Sequence, residues 1–185
     1  MATSPASQLA SFDLTQIQLI EAIFLECSIR VEPIGQASDE LIRFEVEQVL
    51  LEPAFDMVQG QVRYVVTVEA RSVAANGTPT GATGIFRLRF QFEVQNMREY
   101  ARTAPDFEGP FPVRDLMIML GGVAYSTARG LLLGKTAGTV FSGFALPLRS
   151  PQELFTASID KLAERDVRPA TRKPAKRVAK KPKDT

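Results

Sequence analysis

The sequence predicts an α+β fold: a four-stranded antiparallel sheet, then one long helix and one short C-terminal helix. Three observations predict it. Apolar and polar side chains alternate at period two up to Val94, the period changes to three and four after Gly109-Pro110, and Ser150-Pro151-Gln152-Glu153 carries the signature of a helix start. Period two marks a strand with one buried face, and the longer period marks one face of a helix.

The first strand covers Gln16–Val31. Ile17, Leu19, Ile23, Leu25, Cys27, Ile29 and Val31 share one parity, although Glu21 interrupts that face and Phe24 falls opposite. In the second, Leu41–Leu51, the residues Ile42, Phe44, Val46 and Leu50 face one way while Arg43, Glu45 and Glu47 face the other. The third, Gln61–Val73, sets Val62, Tyr64, Val66, Val68 and Ala70 against Gln61, Arg63, Thr67, Glu69 and Arg71. The fourth, Ile85–Val94, sets Phe86, Leu88, Phe90, Phe92 and Val94 against Arg87, Arg89, Gln91 and Glu93. Asn76-Gly77 reads as a hairpin turn between the last two, because this pair readily takes the positive φ that tight turns need. Short, turn-rich connections make the sheet antiparallel, with one face packed and the other wet and carrying cross-strand charge pairs.

From near Pro112 to near Leu133, Val113, Leu116, Met117, Leu120, Val123, Ala124, Thr127, Ala128 and Leu131 recur at helical spacing. Ile118, Met119, Tyr125, Leu132 and Leu133 lie off that stripe, so the helix is apolar nearly all round and needs cover on more than one side. The sheet supplies one cover, and the remaining side argues for self-association. Val113, Leu116, Met117, Leu120, Val123, Tyr125 and Leu131 are the residues expected to divide between core and subunit contact. In the second helix Ser150 caps, Pro151 fits the first turn and Glu153 reaches back, followed by Leu154, Phe155, Ile159 and Leu162.

Composition narrows the function. Among 185 residues there is no His and a single Cys, which removes imidazole-based nucleophile systems, His-ligated zinc, disulfide frameworks and cysteine-cluster metal sites. The expectation is a binding protein, neither enzyme nor cofactor carrier. Cys27 reads as a buried small hydrophobe. Gly130-Leu131-Leu132-Leu133-Gly134-Lys135-Thr136 resembles a phosphate loop, but it has three residues between its glycines instead of four and ends a helix where that loop follows a strand. Gly134 therefore reads as a helix stop. A carboxylate or Tyr enzyme on this sheet would need a dry apolar cavity converging on an acid of raised pKa.

Nine of the 22 basic residues fall in Arg165–Thr185 with two Asp, which leaves Met1–Glu164 at about −6. The expected organisation is a flexible N-terminus over 1–15, one folded domain over 16–164 and a disordered basic tail over 165–185, because the tail has too little apolar surface to offset its ordering entropy. That tail is either a solubilising arm or a nucleic-acid binder acting by counterion release. The N-terminus lacks a basic and apolar leader, and the longest apolar run, Leu116–Tyr125, falls short of a membrane span. The expected setting is cytoplasmic, without membrane insertion. Pro53–Val58, Phe107–Phe111 and Phe141–Phe144 put large apolar groups in expected loops, where exposed Phe and Met form adaptable grooves for extended polypeptides. Phe24, Phe55, Met57, Phe107, Phe111, Phe141, Phe144 and Phe155 are the candidates for such a groove.

Three stretches carry a family resemblance: Gln16-Ile17-Gln18-Leu19, Val62–Ala70, and the run from Ala124 to Phe155, with its helix end, Gly-containing turn, extended Leu-Pro segment and closing helix ending Leu-Phe. Over roughly 16–164 the chain resembles the SecB family of export chaperones. The resemblance implies both helices on one side of the sheet, dimers through the long helix assembling into a tetramer, and an ATP-independent holdase for unfolded polypeptides. Its partners would be non-native clients and either the SecA motor or an antitoxin. The arginines Arg43, Arg63, Arg71, Arg87 and Arg89 and the basic C-terminus depart from the acidic surface of members that dock on SecA.

The tail separates two function classes. A chain ending at Glu164 is expected to retain ATP-independent suppression of aggregation if the domain is the functional unit; if the tail is, truncation abolishes a nucleic-acid affinity that falls steeply with salt, read by fluorescence anisotropy.

Overall fold

A computed structural model describes residues 12–32, 42–103 and 109–167. Four long strands form one antiparallel sheet: β1 (Ile17–Val31), β2 (Arg43–Asp56), β3 (Gln61–Val73) and β4 (Pro79–Val94), in the order β1-β4-β3-β2. Consecutive strands β2, β3 and β4 form a meander, and β1 returns to the outside of β4. A short ribbon of β5 (Ala101–Arg102) and β6 (Phe111–Pro112) leads into the long helix α1 (Arg114–Lys135), and α2 (Pro151–Val167) closes the domain. This is the expected α+β class with its two helices. The turn Ala74–Thr78 joins β3 to β4 as the Asn-Gly pair requires, with Gly77 at φ +84° and Asn76 Oδ1 accepting from the Thr78 N–H at 2.9 Å.

β3 has the expected bounds and β1 falls within a residue of them, whereas β2 and β4 run longer; in β1 and β2, bulges change which side chains face inward. In β1 the pairing with β4 slips between Leu19 and Glu21 and again between Phe24 and Glu26. Each extra residue reverses the parity of all that follow. The face toward the helices therefore holds Ile17, Leu19, Ala22, Phe24, Cys27, Ile29 and Val31, opposite the inward residues of β4, while Glu21 turns out and meets Arg89. A third bulge at Glu47 does the same in β2. Val49, Leu51, Pro53 and Phe55 turn inward and Leu50 comes to the outer face beside Thr67, a correction to the single-parity reading. Pro53–Asp56, expected as loop, continues β2; a proline without an N–H is tolerated because β2 is an edge strand.

The inner face of β3 and β4 carries Val62, Tyr64, Val66, Val68, Phe86, Leu88, Phe90, Phe92 and Val94, all buried. The helix α1 crosses this face with Leu116, Leu120, Ala124, Ala128 and Leu132 buried against it. The Tyr64 hydroxyl donates to the Met117 carbonyl, and burial pushes that phenol well above its ordinary pKa, so it stays a donor. By length and composition α1 also meets the requirement of a bilayer span, which the shorter apolar run concealed. Here its buried stripe is the core of the domain. The helix does not stop at Gly134; it runs to Lys135, Thr136 closes it by donating N–H and Oγ1 to the Leu132 carbonyl at 2.9 Å each, and Gly138 at φ +75° turns the chain.

From Gly138 the chain folds back on its own turns and drives Phe141 and Phe144 into the core, where they pack with Phe44 and Phe86 at ring separations of 5.1–6.0 Å. The extended stretch after it is held by α1: Tyr125 Oη donates to the Pro147 carbonyl at 2.6 Å and Arg129 Nε to the Leu146 carbonyl at 2.8 Å. Pro151 then passes so close to Gly122 that a Cβ there would lie 2.8 Å from the ring. Leu154 is buried and the Ser158 hydroxyl accepts the Leu51 N–H at 3.0 Å, so α2 covers the outer edge of β2.

Both ends of the domain differ from the expected boundaries. Phe12 packs edge-on against Tyr100 at 5.2 Å, Asp13 donates its N–H to the Tyr100 hydroxyl, and a 3-10 turn spans Leu14–Gln16, so the fold begins before position 16. At the other end α2 includes 165–167, stopping two residues before Pro169. The other expectations for the N-terminus and the basic tail lie outside the described residues.

Ser158 is 1% exposed and serves the backbone of an edge strand. Ser158→Ala leaves the Leu51 N–H buried without its partner and is expected to cost about 1–3 kcal/mol, read as a lower denaturation midpoint with an unchanged slope in urea; Ser158→Thr, which keeps a hydroxyl, is expected to lose less.

Candidate functional site

Four elements converge on one open apolar groove of about 500 Å³. The end of β2 contributes Pro53 and Phe55, β6 contributes Phe111 and Pro112, the first turn of α1 contributes Arg114 and Met117, and α2 contributes Phe155, Thr156, Ile159 and Asp160. Each is delivered by local structure. The bulge at Glu47 turns Pro53 and Phe55 to the helix side, and residues 155, 156, 159 and 160 lie on one face of α2 because positions four apart stack on a helix. Met117 is 6% exposed and forms the floor; Phe55 at 37% and Ile159 at 41% remain open to solvent at the walls. A hydrogen bond crosses the site, from Arg114 Nη2 to Thr156 Oγ1 at 3.0 Å.

Of the eight residues expected to build a groove, Phe55, Phe111 and Phe155 meet here. Phe141 and Phe144 are not groove residues at all: they are 0% and 1% exposed within the aromatic core. Phe24 lies on the inner face of β1, away from this groove, with the Lys135 ammonium 5.8 Å above its ring. Met57 is partly buried against the core in the β2–β3 turn, and Phe107 lies outside the described residues. Pro53, Pro112, Arg114, Thr156, Ile159 and Asp160 went unrecognised in the sequence. Only the i, i+4 pairs on α2 held a signal, and without knowledge of the facing strand it was indistinguishable from an ordinary solvated helix face.

The residues expected at a subunit contact divide as follows. Leu116, Met117, Leu120 and Tyr125 are buried by this chain alone, and Val113 and Leu131 pack partly against its core. Val123 is exposed, together with Leu133, on the side of α1 away from the sheet. A second uncovered apolar region is β1, an edge strand on which Leu19, Ile20, Ile23 and Leu25 are all exposed. Cys27 is exposed there too, a correction to its expected burial: the helices cover β2 to β4 and stop short of β1.

On the outer face two of the arginines, Arg71 and Arg89, are partnered within the sheet. Arg89 grips Glu21 with two hydrogen bonds, at 2.6 and 3.1 Å, and Arg71 bridges Glu45 and Glu47 at 2.8 and 3.2 Å. The Arg89 hydrogen bond holds the Glu21 carboxyl below its ordinary pKa, and Thr15 does the same for Asp13. Both shifts favour the charged form, opposite to the raised pKa that a general acid needs. Among the described residues no group of His, Cys, Asp or Glu side chains is arranged to hold a metal ion.

No family model matches the chain, and no curated protein matches it. Among solved structures, the chain is similar to a SecB-like chaperone of Mycobacterium tuberculosis in complex with a ChAD peptide from an antitoxin, at 14% identity and a TM-score of 0.48, covering 74% of this chain and 92% of that one.

Core and groove phenylalanines are separable by stability. Phe141→Ala is expected to cost about 3–5 kcal/mol as a fully buried aromatic, whereas Phe155→Ala, half-buried at the groove wall, is expected to cost less than half of that in the same urea titration.

Proposed function

We propose that the protein is an ATP-independent holdase that binds non-native polypeptides in the groove between β2, β6, α1 and α2. The observation that carries this reading is the convergence of Phe55, Phe111 and Phe155 on an open, predominantly apolar site. Such a surface gains free energy by taking apolar side chains from water, and it does so with little regard to their shape because rings and Met accommodate many partners. Rings and prolines pack; they supply neither nucleophile nor base. The resemblance of the sequence to the SecB family supports the same reading.

The uncovered apolar surfaces support self-association. Val123 and Leu133 on α1 and the exposed aliphatic side chains of β1 would be covered in a dimer built through the long helix, and two dimers would make the SecB-type tetramer. Both regions are separate from the groove, which would stay open in the assembly. Clients would be exported chains or an unstable antitoxin. The outer sheet face bears on the choice: Glu45 and Glu47 are paired with Arg71 and Glu21 with Arg89, so it offers a weaker docking surface to a basic motor domain than a purely acidic sheet. This favours the antitoxin over delivery to SecA, in a cytoplasmic setting.

The test is suppression of aggregation of a chemically unfolded protein without ATP. The full chain is expected to suppress at near-stoichiometric ratios, and the double variant Phe55→Ser with Phe155→Ser to need several-fold more protein at unchanged circular dichroism. Failure of the folded wild-type chain to suppress aggregation overturns the reading.

A further inference from the structure

We propose that the groove selects extended segments in which an acidic and a basic residue, two positions apart, flank an aromatic or large aliphatic one. This rests on the holdase reading and specifies its client. Two charged side chains, Arg114 on α1 and Asp160 on α2, line a site that apart from them and Thr156 is apolar. The hydrogen bond to Thr156 places the Arg114 guanidinium beside that residue. Asp160 lies four residues further along α2, one helical turn and about 6 Å at 1.5 Å per residue. In an extended chain, side chains two apart emerge on the same side, about 6.6 Å from one another, and the one between them points the opposite way. A segment lying along α2 therefore meets Arg114 and Asp160 with its residues i and i+2. Its residue i+1 points across the groove toward the wall formed by Phe55 and Phe111.

Both charges are available for this role. Among the described residues Arg114 makes only the bond to Thr156, leaving most of its guanidinium donors unused, and Asp160 has neither a hydrogen bond nor an ion pair. Arg114 also works against its own helix, since a cation at the amino end of α1 opposes the helix dipole. A neutral residue would serve α1 better, so the placement is not explained by helix stability. Either direction of the bound chain along α2 is allowed; what is selected is the pair of opposite charges at this spacing.

The test uses the full chain and four labelled decapeptides that differ only at three central positions: Asp-Phe-Lys, Lys-Phe-Lys, Asp-Phe-Asp and Gln-Phe-Gln. By fluorescence anisotropy Asp-Phe-Lys is expected to bind about 3- to 10-fold more tightly than Gln-Phe-Gln, the yield of two exposed ion pairs, with the advantage shrinking as salt rises. Arg114→Asp is expected to move the preference to Lys-Phe-Lys and Asp160→Lys to move it to Asp-Phe-Asp, gains that loss of folding cannot produce. Equal affinity of all four for the wild-type chain overturns this inference and leaves the holdase reading standing. Absence of binding by every peptide, Gln-Phe-Gln included, overturns the groove itself.

Discussion

The seating of α1 on the inner face of the sheet is the contact on which the other elements depend. Leu116, Leu120, Ala124, Ala128 and Leu132 bury one stripe of the helix over β3 and β4, and two details set its height and position. The Tyr64 hydroxyl reaches the Met117 carbonyl, and Gly121 leaves only a methyl's width above the same ring, a Cβ there lying 3.4 Å from it. A helix held at that height presents Gly122, Tyr125 and Arg129 to the chain that returns along it. Those three residues receive Pro151, Pro147 and Leu146, so the entry of α2 follows from where α1 lies.

The groove follows in turn from how α2 is held. Its inner side is tied to β2 by Leu154 and by the Ser158 hydroxyl on the Leu51 N–H. This one bond satisfies a donor of an edge strand that would otherwise be open to pairing. The neighbouring face, with Phe155 and Ile159, is left looking across a gap at the end of β2 and at β6. Sheet and helices thus fill the core under β2 to β4 and leave apolar surface unfilled at three other places: the groove, β1, and Val123 with Leu133 on α1. A small domain with such surface is suited to binding other chains, since compact monomers seldom expose contiguous apolar area without use for it.

How much of this was legible in the sequence depended on the range of the interaction. The alternation in Gln61–Val73 and Ile85–Val94 marked the two central strands correctly, and Asn76-Gly77 marked their turn, because both signals are local. The apolar circumference of α1 was equally plain. The groove was legible only in its chemistry: aromatic residues in unexpected places. Phe141 and Phe55 had the same appearance in the sequence, yet one fills the core and the other faces solvent. What separates them is that Gly138 and the turns after it fold Phe141 back under β4 and β2, whereas Phe55 lies at the end of β2, where α2 faces it across an open groove.

Taken alone, the sequence determined the element types, the absence of imidazole and disulfide chemistry, and the segregation of charge between the domain and its C-terminus, since these depend on composition and on neighbours a few positions apart. Tertiary structure decided the parity of the edge strands and the membership of the groove. Where a strand inserts an extra residue is settled by the partner it pairs with: β4 imposes the slips at Ile20 and Leu25 that turn Glu21 toward Arg89, and β3 imposes the one at Glu47 that turns Phe55 inward. Those preferences belong to pairs of residues as far as 68 positions apart, and no periodicity within a single segment can carry them.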